Sequence, residues 1–353
     1  MSFINNWLRP DIKAINVYHV PFSNDMVKLD AMESPFSLSN TLIGQYLADI
    51  QLNRYPASAS ANELQQTLRE LMDIPDEFGV LLGNGSDELI QLLALACDAG
   101  DTILSVDPSF VMYGMIAKFT RLNYLSVALT NDFEIDADAM QRVIETHSPK
   151  LIFIAYPNNP TGNAFDRTVI EKIITSSNAL VVLDEAYYAY ANDSFLLDIK
   201  KYPNLVLLRT VSKIGFAGLR LGLLIAAQDM VAALDKLRLP YNINTLTQVS
   251  ANFLLKEKKE INQNSQIILK ERIKLSSTLG AISGLQVYPS QANFILFKTQ
   301  NANLLFKFLK VNGVLIKDLS SIPALTDCLR ATIGTQTQNQ TFINLVKRFY
   351  DWE

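Results

Sequence analysis

The chain has 353 residues, 49% hydrophobic and 19% charged, with a formal net charge of −4, which predicts one large domain plus a smaller one and argues against nucleic acid or an anionic membrane as partner. The opening "MSFINNWLRPDIK" lacks a basic-then-apolar leader pattern and no apolar run reaches the ~20 residues of a bilayer crossing, so a cytoplasmic protein is expected. Two cysteines, Cys97 and Cys328, and two histidines, His19 and His147, each far apart, predict no disulfide framework and no metal site, and leave little scope for histidine-assisted nucleophiles.

Residues 1–40 carry Pro10, Pro21 and Pro35 with little periodicity. They predict an arm that packs on the smaller domain or on a partner subunit. Short continuous apolar runs follow: "GVLLG" (79–83), "TILSV" (102–106), "LIFIAY" (151–156), "ALVVLD" (179–184), "NLVLLR" (204–209) and "LGLLIA" (221–226). Runs of this kind, without alternation, are strands buried on both faces. Helical patterns separate most of them. "ANELQQTLRELM" has Ser60 before it and Glu63 three residues on, a capping-box pattern. "DELIQLLALACDAG", "DADAMQRVIETH", "DRTVIEKIITSS" and "QDMVAALDKLR" also carry helical spacing. The alternation predicts an α/β domain over 41–243, with a mostly parallel central sheet sandwiched by helices. Beyond it, a polar helical stretch through "KEKKEINQNSQIILKERIKL" precedes strands at "LQVYP" and "ANFILFK". A helix over 301–311, strands around "VLIKD" and "CLRATIG", and a helix running to "LVKRFYDWE" complete a smaller α+β domain over 244–353.

Open parallel sheets bind ligands outside the carboxyl ends of their strands. At the end of the first run, "GNGSDE" (83–88) offers glycines for a tight turn and the N–H groups of a helix start, which suit a phosphate; an ordinary turn with a serine cap reads the same. "AYPNNPTG" (155–162) puts Asn159 at the sheet edge, in what is also a plain turn signal. "LVVLDEAY" drives Asp184 onto the end of a buried strand, where a carboxylate needs a partner, a structural ion pair included. Tyr187 shares that neighbourhood. "RTVSKIGFAGLRLG" (209–222) surrounds Lys213 with apolar, small and hydroxyl residues. A lone lysine is usually solvated, but a sheltered one has a lowered pKa and suits Schiff-base chemistry. The co-occurrence of all four stretches at strand ends of one sheet favours a site.

The order "GNGSDE", "PNNPTG", "DEAY", "TVSK" and "GLRLG" resembles the fold-type I pyridoxal-phosphate aminotransferases. Together with "RYPAS", the "SK…GLR" form resembles their histidinol-phosphate aminotransferase branch, from about residue 28 onward. The resemblance implies pyridoxal 5'-phosphate as cofactor, with Lys213 joined to it and shuttling the substrate proton. It implies Asp184 at the ring nitrogen, Asn159 and Tyr187 at the ring oxygen, and Phe110 against the ring face. Gly85, Ser86, Asp87, Thr210, Ser212 and Arg220 would complete the cofactor set, mostly around the phosphate. Tyr55 would reach the phosphate of a neighbouring subunit, so the resemblance implies a homodimer with shared sites. On the substrate side it implies Arg330, Lys317, Glu33 and Tyr18. Two departures fall there: Lys317 stands where the branch often has arginine, and "LDAMESPF" has Met32 and Ser34 at two positions that are asparagine in "NENP". The implied reaction converts histidinol phosphate and 2-oxoglutarate to imidazole-acetol phosphate and glutamate, a step of histidine biosynthesis. The alternatives are an aromatic aminotransferase and a lyase resembling threonine-phosphate decarboxylase. A dinucleotide-binding dehydrogenase is disfavoured because "GNGSDE" lacks the third glycine of that fingerprint.

Overall fold

The computed structural model describes residues 26–36, 52–56 and 58–351, with the single positions 9 and 12. Tyr18 and most of the predicted arm lie outside the described residues. After a two-residue strand, β1 (Val27–Lys28), the chain alternates strand and helix. The strands are β2 (Phe78–Gly83), β3 (Thr102–Asp107), β4 (Asn123–Ala128), β5 (Leu151–Ala155), β6 (Leu180–Asp184), β7 (Leu205–Thr210) and β8 (Gly222–Ala227). They form one sheet in the order β2–β8–β7–β6–β5–β3–β4. Neighbours are parallel except at β8, which runs antiparallel to both β7 and β2. The carboxyl ends of β2, β3, β5, β6 and β7 therefore all open on one side.

Helices α1 (Ser58–Met72), α2 (Ser86–Leu95), α3 (Met112–Thr120), α4 (Ala137–His147), α5 (Arg167–Ser176) and α6 (Gln228–Leu234) cover the sheet. Successive strand residues point to opposite faces. Thus Val181, Leu183, Leu207 and Ile225 pack with Leu64, Met140 and Ile170 of α1, α4 and α5. Val182, Val206, Leu208 and Leu224 pack with Leu89, Ile116 and Leu234 of α2, α3 and α6. Burial on both faces is why six of the strands read as continuous apolar runs. The exception is β4, an edge strand with three of its residues exposed. Helix α3 also carries no strong pattern, because Gly114 interrupts it. A Cβ there would come within 3.3 Å of the Tyr124 ring on β4, so the glycine lets helix and edge strand approach. Helix α1 starts at Ser58, so Ser60 lies inside its first turn and is not the expected cap.

Helix α7 (Thr245–Leu254) is capped by Asn244, whose side chain accepts from the Thr247 N–H at 2.9 Å, and it buries Ala251 and Leu254 in the core of the large sheet. The long α8 (Lys258–Gly280) follows. A four-stranded antiparallel sheet then runs in the order β12 (Lys317–Asp318), β13 (Cys328–Thr332), β10 (Phe294–Lys298), β9 (Gln286–Val287). Helices α8, α9 (Ala302–Val311) and α10 (Gln336–Asp351) bury Leu275, Leu305 and Phe342 against Ile295, Phe297 and Leu329 of that sheet. Segment 26–36 runs along this smaller layer. Its β1 pairs in parallel with β11 (Val314–Leu315), the Leu29 carbonyl accepts from the Thr332 N–H at 2.8 Å, and the Met32 N–H donates to Thr332 Oγ1 at 2.9 Å. Among the described residues, no helix is long and apolar enough to cross a membrane.

Candidate active site

Five strand ends of the large sheet converge on one cavity. At the end of β6, Asp184 is 4% exposed. Its Oδ2 accepts from the Tyr113 hydroxyl at 2.9 Å and its Oδ1 from the Ala186 N–H at 3.1 Å. Burial pushes its pKa up to about 6 against the pull of those two donors. Desolvation outweighs two hydrogen bonds here, so the carboxylate stands in need of a cationic or N–H partner.

Beyond β7, the chain makes a short 3-10 turn over Ser212–Ile214 that ends at Gly215, φ 115°. This turn presents Lys213. The residue is partly buried and lines the cavity. Burial, followed by the positive charge of Arg330, brings its pKa down to about 8. Its Nζ stands 5.9 Å from the centre of the Tyr187 ring, and its carbonyl accepts from the Tyr190 hydroxyl at 2.6 Å.

At the end of β2 the helix cap is Gly85, φ 78°, which has no side chain to bond the first N–H groups of α2. A serine cap is therefore not what this turn provides: Ser86 is the first helical residue, and the helix start is left to another acceptor. A Cβ on Gly85 would lie 2.7 Å from Arg220 Nη2, and one on Gly222 would lie 2.5 Å from the Ser86 nitrogen. Only glycines allow the two turns to close in this way. The Arg220 guanidinium lies 3.4 Å from the Asp87 carboxylate, both half-exposed. Nearby, the Thr210 hydroxyl donates to the Leu221 carbonyl at 3.0 Å and accepts from the Ser212 N–H at 3.1 Å.

The β3 and β5 ends bring loops with cis peptide bonds at Asp107–Pro108, Tyr156–Pro157 and Asn159–Pro160. The fully buried Asn158 ties the loops together, donating to the Pro108 carbonyl at 3.0 Å and accepting from the Ser109 hydroxyl at 3.0 Å. Asn159 Oδ1 accepts from Arg330 Nη1, which leaves the amide NH2 as its donor. Arg330 itself is buried on β13, donates to the Asp30 carbonyl at 3.2 Å, and lies 5.2 Å from the centre of the Phe294 ring.

Gly85, Ser86, Asp87, Phe110, Asn159, Asp184, Tyr187, Thr210, Ser212, Lys213 and Arg220 all line this cavity, together with Met32, Ala155 and Ala186. Arg330 meets it through Asn159. Lys317 sits directly opposite Arg330 in the β12–β13 register. Glu33 and Tyr55, both expected at the site, do not join the wall. Glu33 faces a separate recess by Gly334 and pairs with Lys28 at 2.5 Å. Tyr55 is 78% exposed and stacks on Tyr241 with centroids 4.5 Å apart, away from the cavity. Tyr18 lies outside the described residues. Tyr113 and Asn158 hold the site but carry no signal in the sequence that sets them apart. No cluster of metal-ligating side chains occurs among the described residues.

A lysine, a strand-end aspartate and a glycine-lined anion cradle on this sheet define a cofactor-dependent group-transfer enzyme, and the chain belongs to the aminotransferase class I and II family, whose model matches residues 25–346. It is 72% identical over 353 residues to the histidinol-phosphate aminotransferase of Vesicomyosocius okutanii subsp. Calyptogena okutanii (strain HA), covering 99% of both chains. Its fold matches the crystal structure of histidinol-phosphate aminotransferase from Sinorhizobium meliloti in complex with pyridoxal-5'-phosphate, with TM-score 0.83, 20% identity and 98% of each chain covered. It also matches that of L-threonine-O-3-phosphate decarboxylase from Porphyromonas gingivalis, with TM-score 0.78, 22% identity, and coverage of 92% of this chain and 100% of that one. The chain is an aminotransferase and its cofactor is pyridoxal phosphate. The residues fit that group: an uncapped helix start closed in by glycines for its phosphate, a buried carboxylate for its ring nitrogen, and an amine held near neutrality for its aldehyde.

Proposed function

We propose that the chain transfers the amino group of histidinol phosphate to 2-oxoglutarate, giving imidazole-acetol phosphate and glutamate, as a step of histidine biosynthesis in the cytoplasm. The observation that carries the choice of donor is Lys317 opposite Arg330 in the register of β12 and β13. Directly opposed residues share one face of a sheet. Two cations there, beside the cofactor cavity, suit a phosphorylated donor better than a neutral side chain. The full-length likeness to the V. okutanii enzyme supports the same donor.

When bound, the cofactor supplies an aldehyde that accepts an amine and a ring that accepts electrons. The N–H groups of Ser86 and Asp87 at the start of α2, the hydroxyls of Ser86, Thr210 and Ser212, and the Arg220 guanidinium hold its phosphate. Asp184 pairs with the ring nitrogen, and Phe110 covers one ring face. The Asn159 NH2 and the Tyr187 hydroxyl donate to the ring oxygen. Lys213 Nζ, with its pKa brought down to about 8, would take the proton from the substrate Cα and give it to the cofactor's aldehyde carbon, on the other side of the transferred nitrogen. Arg330 binds the acceptor's α-carboxylate in one half of the cycle and, with Lys317, the donor's phosphate in the other. The resemblance adds Tyr18 to this substrate side, together with Glu33, which faces the recess by Gly334 and not the cavity itself. The large sheet forms a cofactor domain over 41–243 and the small one a domain over 244–353, with α7 leaning back on the former. Exposed Leu52, Tyr55, Tyr241 and Leu246 line one open surface recess, which supports a homodimer in which Tyr55 serves the partner's phosphate.

Incubation with histidinol phosphate and 2-oxoglutarate tests this reading, with glutamate as the readout. Parallel runs use phenylalanine with 2-oxoglutarate, and threonine phosphate with trapping of released CO2. Glutamate from histidinol phosphate at a far higher kcat/KM than from phenylalanine is expected. Preference for phenylalanine would make the enzyme an aromatic aminotransferase, and CO2 release would make it a lyase.

A further inference from the structure

We infer that Tyr113 is a positioning residue for Asp184, its hydroxyl keeping the pocket carboxylate ionised and aimed at the cofactor ring. The inference deepens the proposed function and rests on it, because Asp184 matters only if a ring nitrogen sits against it. Tyr113 occupies the first turn of α3, just after the loop held by Asn158. It is fully buried. One face of its ring stacks on Phe153 of β5, with centroids 4.8 Å apart and planes 16° from parallel. Phe110, on the cavity wall, meets it edge-on at 5.5 Å and 85°. The ring is thus clamped between sheet and cavity, and its hydroxyl reaches Asp184 Oδ2 at 2.9 Å.

A buried phenol needs an acceptor, and any carbonyl would satisfy it. Here the acceptor is a pocket carboxylate that burial is pushing toward its neutral form. Burial and the charge of Asp184 hold the Tyr113 phenol well above its ordinary range, so it stays a donor wherever the enzyme works. The other donor, the Ala186 N–H, comes from the backbone and fixes Oδ1. Together they occupy one lone pair on each oxygen and set the plane of the carboxylate. Tyr124, Tyr187, Asp87 at the start of α2, and Lys213 after β7 are the other titratable groups facing this pair.

If the hydroxyl stabilises the charged form, weakening it must make Asp184 easier to protonate, and a protonated Asp184 no longer pairs with the ring nitrogen. The test reads cofactor release from the holoenzyme on stepwise acidification, by filtration and cofactor absorbance, not turnover. Tyr113→Phe keeps the clamped ring and removes only the donor. It should raise the pH of half-release by about one unit. Tyr113→3-fluorotyrosine, a stronger donor that also guards against a folding failure of the first variant, should lower it by a few tenths of a unit. Opposite shifts from near-isosteric rings are not what a packing role gives. Equal midpoints in the three proteins, or shifts in the same direction, would overturn the inference while leaving the aminotransferase reading intact. A wild-type chain that retains no pyridoxal phosphate at neutral pH would overturn both.

Discussion

The two sheets meet at one cavity and hold their charges in different ways. On the large sheet, the buried charges at the ends of β6 and β7 are over-determined. Asp184 has a tyrosine hydroxyl and a backbone N–H. Directly behind it, the nearly fully buried pair Glu185–Arg209 bridges the ends of β6 and β7, with Nε and Nη2 at 3.0 and 2.9 Å from Oε2. Arg209 also donates to the Met72 carbonyl at 3.1 Å, and the Phe195 N–H donates to Glu185 at 2.8 Å. On the small sheet, Arg330 donates to a carbonyl and an amide oxygen, and Lys317 remains half-exposed. The difference follows from what each end handles. A resident cofactor calls for fixed dipoles and charges, as preorganised sites do. A carboxylate or phosphate that would arrive and leave every cycle calls for cations whose hydrogen bonds to neutral groups can be exchanged for the substrate's.

Substitutions can break this contrast. The largest effect is expected at Lys213. Lys213→Ala should leave a folded protein with an unchanged melting profile, and turnover lower by about 10⁴-fold or more, because both the cofactor link and the proton carrier are lost. Normal turnover would remove Lys213 from the mechanism. Next is Asp184→Asn, expected to lower kcat by about 10²–10³-fold with little change in KM. Arg330→Lys keeps the charge but loses the planar fork. It should raise KM for donor and acceptor alike by about tenfold to a hundredfold, in steady-state kinetics with each substrate varied in turn. The smallest is Lys317→Ala, which should raise KM about tenfold for histidinol phosphate and much less for phenylalanine. An equal rise for both would take Lys317 out of the phosphate site.

A pH experiment sharpens the contrast without any substrate. In the cofactor-free protein Asp184 titrates near 6, above its unfolded value. The native state then binds the proton more tightly, so this group's stabilising contribution is full below about pH 4 and is lost as pH rises through about 6. Asp184→Asn should flatten that part of the stability curve, measured by denaturant titration from pH 4 to 7. It should make the cofactor-free protein more stable at pH 7, by up to about 3 kcal/mol. An unaltered slope would mean the carboxylate is not under the desolvation described.

Much of this architecture is written in local pattern. Strands buried on both faces leave unbroken apolar runs, and Asp184, Asn159 and Lys213 stand out because each follows such a run at a turn. What could not be read depends on distance in three dimensions. Edge strand β4 has one solvated face and no run. Tyr113 is one aromatic among several in an apolar helix, and only the fold places its hydroxyl on Asp184. Asn158 and Asn159 are adjacent and identical in type, yet one ties two loops together while the other faces the cavity. The opposition of Lys317 and Arg330 depends on strand register, which the intervening residues 318–329 do not specify. The glycines at 85 and 222 look like turn residues, and only the structure shows each meeting the other loop.

The central claim is that the strand-end cavity holds pyridoxal phosphate through Lys213. Borohydride reduction of the yellow holoenzyme, followed by digestion and mass spectrometry, tests it most directly. The account predicts a single stable cofactor adduct on the peptide containing Lys213, absent from Lys213→Ala. An adduct on Lys317 or any other lysine, with none on Lys213, would contradict it.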